Sequence, residues 1–327
     1  MKSARIAIIG FGVIGRGFAQ ALQQKKKYLK ELGVELNIIA VCEVDGSLVN
    51  EKGIDLEKAL KGELKKQSDW DSIKAPVVIE KHKPDIVLEL TPGNVKDGEP
   101  GLGHIKKALS NGISVVTSNK APLALNYSEL MSLAEDNNVK LKFEATVGGA
   151  IPIINLYQNT LKINEIRSIY GILNGTSNFV LSKMDEEAIG LDDAVKEAQE
   201  LGLAESDPGY DIDGIDTAVK VAILANSLMN RKVSFRDIKV KGIRDVTPEA
   251  IELARKHGYS IKLIGDVGNL EVSPRLVPKG DPLDVSGSLN AVMLDTDIAK
   301  DITIVGRGAG AIETASSLLS DVLEIVG

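Results

Sequence analysis

Arg5-Ile6-Ala7-Ile8-Ile9 runs straight into Gly10-Phe11-Gly12-Val13-Ile14-Gly15, and the reading of this stretch decides the fold. The first five residues form a short apolar run of the kind that makes a buried strand. A GxGxxG pattern alone says little. Placed directly after a strand and at the opening of a helix, it has the context that binding a dinucleotide requires. Gly10 then serves a tight turn, Gly12 the close approach of backbone to a pyrophosphate, and Gly15 the packing of helix on strand. Gly10, Gly12, Val13, Ile14 and Gly15 are therefore candidate cofactor contacts, with unpaired N–H groups at the helix start facing the phosphates. The plain alternative is an ordinary glycine-rich turn between strand and helix.

Working outward, Gly17–Lys27 carries Phe18, Ala21 and Leu22 at helical spacing, and Leu36–Cys42 is a second apolar run. An acidic residue is expected after that second strand to hold the ribose hydroxyls. Glu43 and Asp45 stand there, and no Arg or Lys adjoins them, which leans toward NAD over NADP. Alternation continues with Asp85–Leu90 (strand), Ile105–Asn111 (helix), Ile113–Thr117 (strand), Ser128–Asn137 (helix) and Lys140–Glu144 (strand). Such alternation argues for an α/β domain built on a doubly wound parallel sheet.

Beyond about residue 150 the pattern becomes α+β. Ile151–Leu156 and Ile166–Leu173 are apolar runs, Leu191–Glu200, Ile215–Leu228 and Pro248–His257 are helical, and Ser260–Val267 and Leu289–Leu294 are strands. Ile302–Val305 followed by Ile312–Leu323 is again strand then helix, which suggests a return to the first domain. The expected division is residues 1–143, rejoined by 306–327, with a second domain at 144–305. A length of 327 residues agrees with two domains.

Composition narrows the function classes. Apolar residues make up 43% and charged residues 26%, a globular profile that excludes a disordered chain or a disulfide scaffold. There are 46 Asp and Glu against 39 Lys and Arg, a formal net charge of −7, so nucleic acid is not an expected partner. No segment approaches the roughly 18 uninterrupted apolar residues of a membrane span, and a cytoplasmic protein is expected. Cys42 is the single cysteine, and the histidines (His82, His104, His257) lie too far apart for a metal cluster or a Ser/His/Asp triad.

Three further segments carry chemistry. Thr91-Pro92-Gly93-Asn94 and Thr117-Ser118-Asn119-Lys120 follow strands, at the ends where α/β sheets bind ligands. Lys120 opens a helix, an unfavourable place for a cation unless something negative meets it. The densest signal runs from Glu205 to Lys220, through Asp207, Asp211, Asp213 and Asp216. Asp216 and Lys220 share a helix face at four-residue spacing. On a surface that would be a minor ion pair. Here Ile215, Val219, Val221, Ala222, Ile223 and Leu224 make the helix apolar nearly all round, and a buried pair is expensive unless it has a task. A desolvated lysine can be tuned for proton transfer. Asn174-Gly175-Thr176-Ser177-Asn178 closes an apolar strand with small hydrogen-bonding residues and reads equally as an Asn-Gly turn.

Together these segments resemble the homoserine dehydrogenases over almost the whole chain. The resemblance rests on the glycine fingerprint, Thr117-Ser118-Asn119-Lys120, Glu144-Ala145-Thr146-Val147-Gly148-Gly149-Ala150-Ile151-Pro152, Asn174-Gly175-Thr176, the Glu205–Lys220 segment and Gly306-Arg307-Gly308-Ala309-Gly310. It implies a Rossmann-type domain plus an α+β catalytic and dimerisation domain, and a homodimer. It also implies interconversion of L-homoserine and L-aspartate semialdehyde with NAD or NADP, on the route to threonine, methionine and isoleucine. Carried over, Lys220 is the proton donor and acceptor, Asp216 its partner and a substrate contact, and Lys120 stands beside nicotinamide and substrate. Glu205 would bind the substrate amino group, and Thr176 and Asp211 complete the pocket. Thr91, Ser118, Glu43 and Gly308 join the cofactor contacts. Backbone carbonyls of Glu144, Val147, Gly149 and Ile151 would hold a monovalent cation such as sodium. At this length no appended regulatory domain or fused aspartate kinase is expected.

Competing readings are fewer. An aspartate-semialdehyde or glyceraldehyde-phosphate dehydrogenase would need a nucleophilic cysteine in its second domain, and Cys42 lies in the first. Another NAD(P)-dependent reductase of a small amino-acid aldehyde keeps the same plan. A non-catalytic nucleotide-sensing protein would have no use for Lys120, Glu205, Asp216 and Lys220 together.

Overall fold

The computed structural model describes residues 2–327, which fall into two compact units. The first comprises the described residues up to 146 together with 310–327, the second 147–309. The changeovers thus lie three and four residues beyond 143/144 and 305/306, because a 3-10 turn (Glu144–Thr146) and the last strand carry the chain further.

The first unit is built in chain order from β1 (Lys2–Ile9), α1 (Val13–Glu31), β2 (Val34–Cys42), β3 (Ser47–Val49), the single turn α2 (Leu56–Lys58) and β4 (Trp70–Asp71). Next come α3 (Ala75–His82), β5 (Ile86–Glu89), α4 (Gly101–Ser110), β6 (Ser114–Thr117), α5 (Lys120–Asp136) and β7 (Leu141–Lys142). Its seven strands lie in the order β4-β3-β2-β1-β5-β6-β7. The five from β2 to β7 are parallel, and β3 and β4 add an antiparallel edge. Ile6, Ile8, Ile38, Val41, Ile86 and Leu88 are buried in its core, as runs covered on both faces must be.

The rest of the core of this unit comes from the far end of the chain. Helix α12 (Ala311–Val326) buries Ala315, Leu318, Leu319 and Val322 against α1 and the sheet. Gly17 makes that approach possible, since a Cβ there would lie 2.6 Å from the Ala311 carbonyl oxygen. The edge strands β3 and β4 were not evident from periodicity, because two or three residues carry no readable period, and the eight-residue helix α3 was not assigned either. The expected strand at Lys140–Glu144 shrinks to Leu141–Lys142 before the 3-10 turn.

The second unit contains α6 (Ile153–Leu156), β8 (Ile166–Ile172), α7 (Gly175–Glu187), α8 (Leu191–Glu200), α9 (Gly209–Ile212) and α10 (Ile215–Met229). It continues with β9 (Lys239–Val240), α11 (Pro248–Lys256), β10 (Tyr259–Asp266), β11 (Glu271–Pro278), β12 (Leu289–Thr296) and β13 (Asp301–Arg307). The six-stranded sheet runs β13-β12-β8-β10-β11-β9, antiparallel except for β11 with β9. Helices α7 and α10 pack on it, α10 against the face of Gly265, where a Cβ would lie 2.8 Å from Val221, while Ile172, Ile264, Val277 and Ala291 form a buried cluster of its strands.

Strand β11, which the sequence reading did not assign, contains Pro274; β9 pairs only with Glu271 and Val272, so Pro274 lies where the outer edge is open and no N–H is required. The Asn174–Asn178 cluster is a helix start rather than a turn. Asn174 caps α7 by accepting the Ser177 N–H at 2.8 Å.

Candidate active site

In the first unit the chain leaves β1 through Gly10, whose φ of +94° belongs to the left-handed region, and a Cβ there would lie 2.8 Å from the Leu90 carbonyl oxygen. A Cβ on Gly15 would overlap the Gly10 carbonyl oxygen. Gly12, by contrast, has nothing within 4 Å of the place a Cβ would occupy. It caps α1 without a side-chain hydrogen bond, and no acidic residue occupies the first turn of that helix. The loop therefore offers free N–H groups, the positive end of a 19-residue helix and open space over Gly12, which together fit a pyrophosphate. Val13 is exposed there and Ile14 half-buried.

Glu43 follows β2 directly, and its backbone N–H bonds to Gly46 O at 2.8 Å, closing a tight turn. Tertiary contacts bring two lysines to this turn that sequence neighbours did not disclose. Lys65 pairs with Asp45, whose carboxyl is held below its usual range by that hydrogen bond, and Lys74 Nζ donates to Val44 O at 2.8 Å. Thr91 and Ser118 stand half-buried just past β5 and β6. Lys120 is half-buried at the start of α5, behind Asn119, whose side chain accepts the Ala121 N–H at 3.3 Å.

In the second unit β8 ends at Ile172, and Leu173 and Asn174 lead into α7. Helix α10 is buried along almost its whole length, so it carries Asp216 and Lys220 into the interior. Lys220 Nζ lies 2.7 Å from Asp216 Oδ2 and donates to Leu173 O at 2.5 Å, and both side chains are less than a tenth exposed. Asn174 Nδ2 donates to Asp216 Oδ2 at 2.9 Å and to Asp211 Oδ1 at 2.6 Å. One amide thus gathers both carboxylates beside one ammonium. Burial pushes the Asp211 carboxyl above its usual range, the Asn174 hydrogen bond opposes this, and the Asp216 charge adds to it.

Thr176 turns its hydroxyl to Leu203 O at 2.8 Å. Glu205 is exposed in the segment after α8, outside this hydrogen-bonded cluster. Asn174 as the hub was missed because a cap and a turn look alike in sequence. The Arg244–Asp213 ion pair was missed too, and with the Ile243 N–H bond to Ile212 O at 2.9 Å it holds the α9 turn that carries Asp211.

Of the residues expected to hold a cation, Glu144 belongs to the first unit and Val147, Gly149 and Ile151 to the second. Glu144 is buried, and its N–H bonds to Asp321 Oδ2 at 2.9 Å. In the second unit Gly148 and Gly149 take positive φ (+82° and +58°), which turns successive carbonyls through a tight bend. Val147 and Ile151 are buried, and Ile151 O already accepts one N–H, from Ile153 at 2.9 Å. Gly308 follows β13, and a Cβ on it would overlap the Asn290 amide. No group of three or more His, Cys, Asp or Glu side chains suited to a metal occurs among the described residues. Nor is any of their helices long and apolar enough to cross a membrane.

A buried ammonium fixed by a carboxylate and a carbonyl is suited to moving a proton to or from a reacting oxygen. A glycine loop at a helix start is suited to a dinucleotide. Known proteins match the stretches of chain that carry both parts. The profile described as "Homoserine dehydrogenase, NAD binding domain" matches residues 10–144, and that described as "Homoserine dehydrogenase" matches 152–323. The homoserine dehydrogenase of Methanocaldococcus jannaschii is 48% identical over 98% of each chain. The crystal structure of a putative homoserine dehydrogenase from Archaeoglobus fulgidus superimposes with a TM-score of 0.92 at 43% identity, covering 99% of both chains. A hyperthermophilic archaeal homoserine dehydrogenase in complex with NADPH gives 0.86 at 32% identity, covering 99% of this chain and 97% of the other.

Proposed function

Because the chain belongs to the homoserine dehydrogenase family, and is an NAD(P)-dependent oxidoreductase of that kind, we propose that Lys220 exchanges a proton with the reacting oxygen as L-homoserine and L-aspartate semialdehyde interconvert. The observation that carries this role is the buried Lys220–Asp216 pair, held at 2.7 Å and tied by Asn174 to Asp211. A charge pair so desolvated is a poor device for stability alone.

The nicotinamide, when bound, supplies or accepts the hydride. In the reducing direction the Lys220 ammonium delivers its proton to the aldehyde oxygen as the carbon is reduced. In the oxidising direction it takes the hydroxyl proton back. Asp216 keeps the ammonium oriented and touches substrate, and Thr176 and Asp211 line the substrate's place. Glu205, exposed on its loop, receives the substrate amino group, which adds the hydrogen-bonded partner that its carboxylate lacks within the cluster. Lys120 carries the positive charge at the cofactor side.

Gly10, Gly12, Val13, Ile14 and Gly15 hold the pyrophosphate, and Thr91, Ser118 and Gly308 complete the cofactor contacts. Glu43 takes the ribose hydroxyls. NAD is preferred over NADP on this reading, since Lys65 is already neutralised by Asp45 and a ribose phosphate would meet Glu43. A monovalent cation such as sodium binds the carbonyls of Glu144, Val147, Gly149 and Ile151, and the positive-φ glycines support this. The enzyme acts in the cytoplasm as a homodimer, on the route to threonine, methionine and isoleucine. Sedimentation as a monomer at micromolar concentration would count against the dimer.

The deciding experiment follows reduced-nicotinamide absorbance on mixing purified protein with L-homoserine, separately with NAD and NADP. Turnover, faster with NAD, is expected. A folded protein that binds cofactor but turns over with neither would overturn the substrate assignment.

A further inference from the structure

One buried carboxylate in the first unit has no part in the chemistry above. Glu89 closes β5 and is fully buried. Its Oε1 accepts the Thr91 hydroxyl and, at 3.3 Å, the Thr91 N–H. Its Oε2 is buried without a hydrogen-bond partner. His104 of α4 brings Nδ1 to 3.6 Å from Oε1, too far for a hydrogen bond, and that nitrogen is also unpartnered. Gly101 leaves just enough room, since a Cβ on it would lie 3.0 Å from Oε2. A buried carboxylate with one oxygen unpaired is destabilising, so stability does not account for an acid here.

The hydrogen-bond directions around Thr91 are all determined. Asn119 engages its Oδ1 in capping α5, accepting the Ala121 N–H at 3.3 Å. Its Nδ2 is therefore the atom that faces Thr91, and it donates to Oγ1 at 3.3 Å. Thr117 holds the frame by donating to Glu89 O at 2.7 Å and accepting the Asn119 N–H at 2.9 Å. With its proton given to Glu89 and one lone pair taken by Asn119, Thr91 Oγ1 keeps a single lone pair and no proton to offer. Thr91 also stands where the strand order reverses between β1 and β5, close enough to the glycine loop that a Cβ on Gly10 would lie 3.0 Å from its nitrogen. Ligands of open α/β sheets bind at such points.

We propose that Glu89 is a positioning residue that makes Thr91 an obligate hydrogen-bond acceptor, and that the donor this acceptor selects is the carboxamide N–H of the nicotinamide ring. This rests on the reading that the first unit holds NAD(P). An unchanged ring with no amide hydrogen would face Thr91 lone pair to methyl, and the preference would vanish.

The test uses calorimetric titration of the full chain, without substrate, comparing NAD with its acetylpyridine analogue, in which a methyl group replaces the amide nitrogen. Wild type is expected to bind NAD about tenfold more tightly than the analogue, one hydrogen bond's worth. Glu89→Gln can turn its amide toward Thr91 and restore a donor there, so the ratio is expected to fall to about threefold or less. Glu89→Met is measured in parallel, so that whichever variant folds gives the answer. Thr91→Ser should keep the wild-type ratio and Thr91→Val should lose it. A merely structural role would weaken both dinucleotides equally and leave the ratio unchanged, which would overturn the proposal. So would a wild type with no preference. Binding of neither dinucleotide to wild type would overturn the cofactor reading itself, and the proposal with it.

Discussion

Lys220 is reached by two oxygens, from Asp216 and from the Leu173 carbonyl, and both draw it to one place in a buried and largely apolar helix. Lys220→Ala is expected to lower kcat by about 10²- to 10⁴-fold, the range of a lost general acid, while the dissociation constant of NAD stays unchanged. A variant keeping most of its kcat would show that another group moves the proton. The same substitution strands Asp216 in the interior, so a loss of about 3–5 kcal/mol in unfolding free energy should accompany it, and adding Asp216→Asn should recover much of that without recovering activity. Asp211 supplies a pH signature. Its raised carboxyl means that the folded chain holds the proton more tightly than the unfolded chain, so its contribution is present below the unfolded pKa and is lost as pH rises through the folded one. Asp211→Asn removes that loss. Its melting temperature relative to wild type should therefore climb as pH is raised from about 4 toward neutrality. A difference that shrinks over that range would contradict the sign. Asp216 and Lys220 were legible because helical spacing alone puts them on one face. Asn174 was not, because its partners lie far along the chain.

At the scale of elements, the strand–turn–helix at residues 2–31 forms as its pattern requires, and each glycine of the loop meets a separate demand of space or conformation. Gly15→Ala should abolish NAD binding, since no conformer of the new Cβ avoids the Gly10 carbonyl. Helix α12 shows the opposite case. Its apolar face, Leu318 and Val322 included, was readable, but an amphipathic face only says that something covers it. Gly17 is the complementary surface, and its lack of a side chain was readable only as a helical glycine. Leu318→Ala is expected to cost about 2–5 kcal/mol in chemical denaturation of the first unit, and a loss below 1 kcal/mol would mean that α12 is a loose appendage. The short strands β3, β4 and β9 escaped pattern reading because their pairing, not their composition, makes them strands.

For the whole molecule, family membership predicts that nicotinamide cofactor binds the native chain and not the unfolded one. At a concentration about a hundred times its dissociation constant, it should add about 2.7 kcal/mol to stability by mass action. Thermal melts with and without NAD measure this, and Gly15→Ala should show no shift. A wild-type chain equally indifferent to NAD would place the cofactor elsewhere. The division into two compact units also matters here, because the first is completed only by the last 18 residues. Its stability therefore depends on a segment separated from β1 by almost the entire chain.

The sequence by itself determined the local pieces, namely the glycine loop after β1, the acid after β2 and the Asp216–Lys220 face of α10. Each depends on residues within a few positions of one another, and backbone geometry relates them directly. Only the tertiary structure decided how the proton site is held. Leu173 O reaches Lys220 across 47 positions, and Asn174 reaches Asp211 and Asp216 across 37 and 42. It likewise decided the polarity of Thr91, through Glu89 two residues away and Asn119 another 28 along the chain, and brought Lys65 and Lys74 to the turn at Asp45. Hydrogen-bond direction is the reason. A side chain's chemistry is written in its residue type, but which atom donates and which accepts depends on partners that only packing supplies.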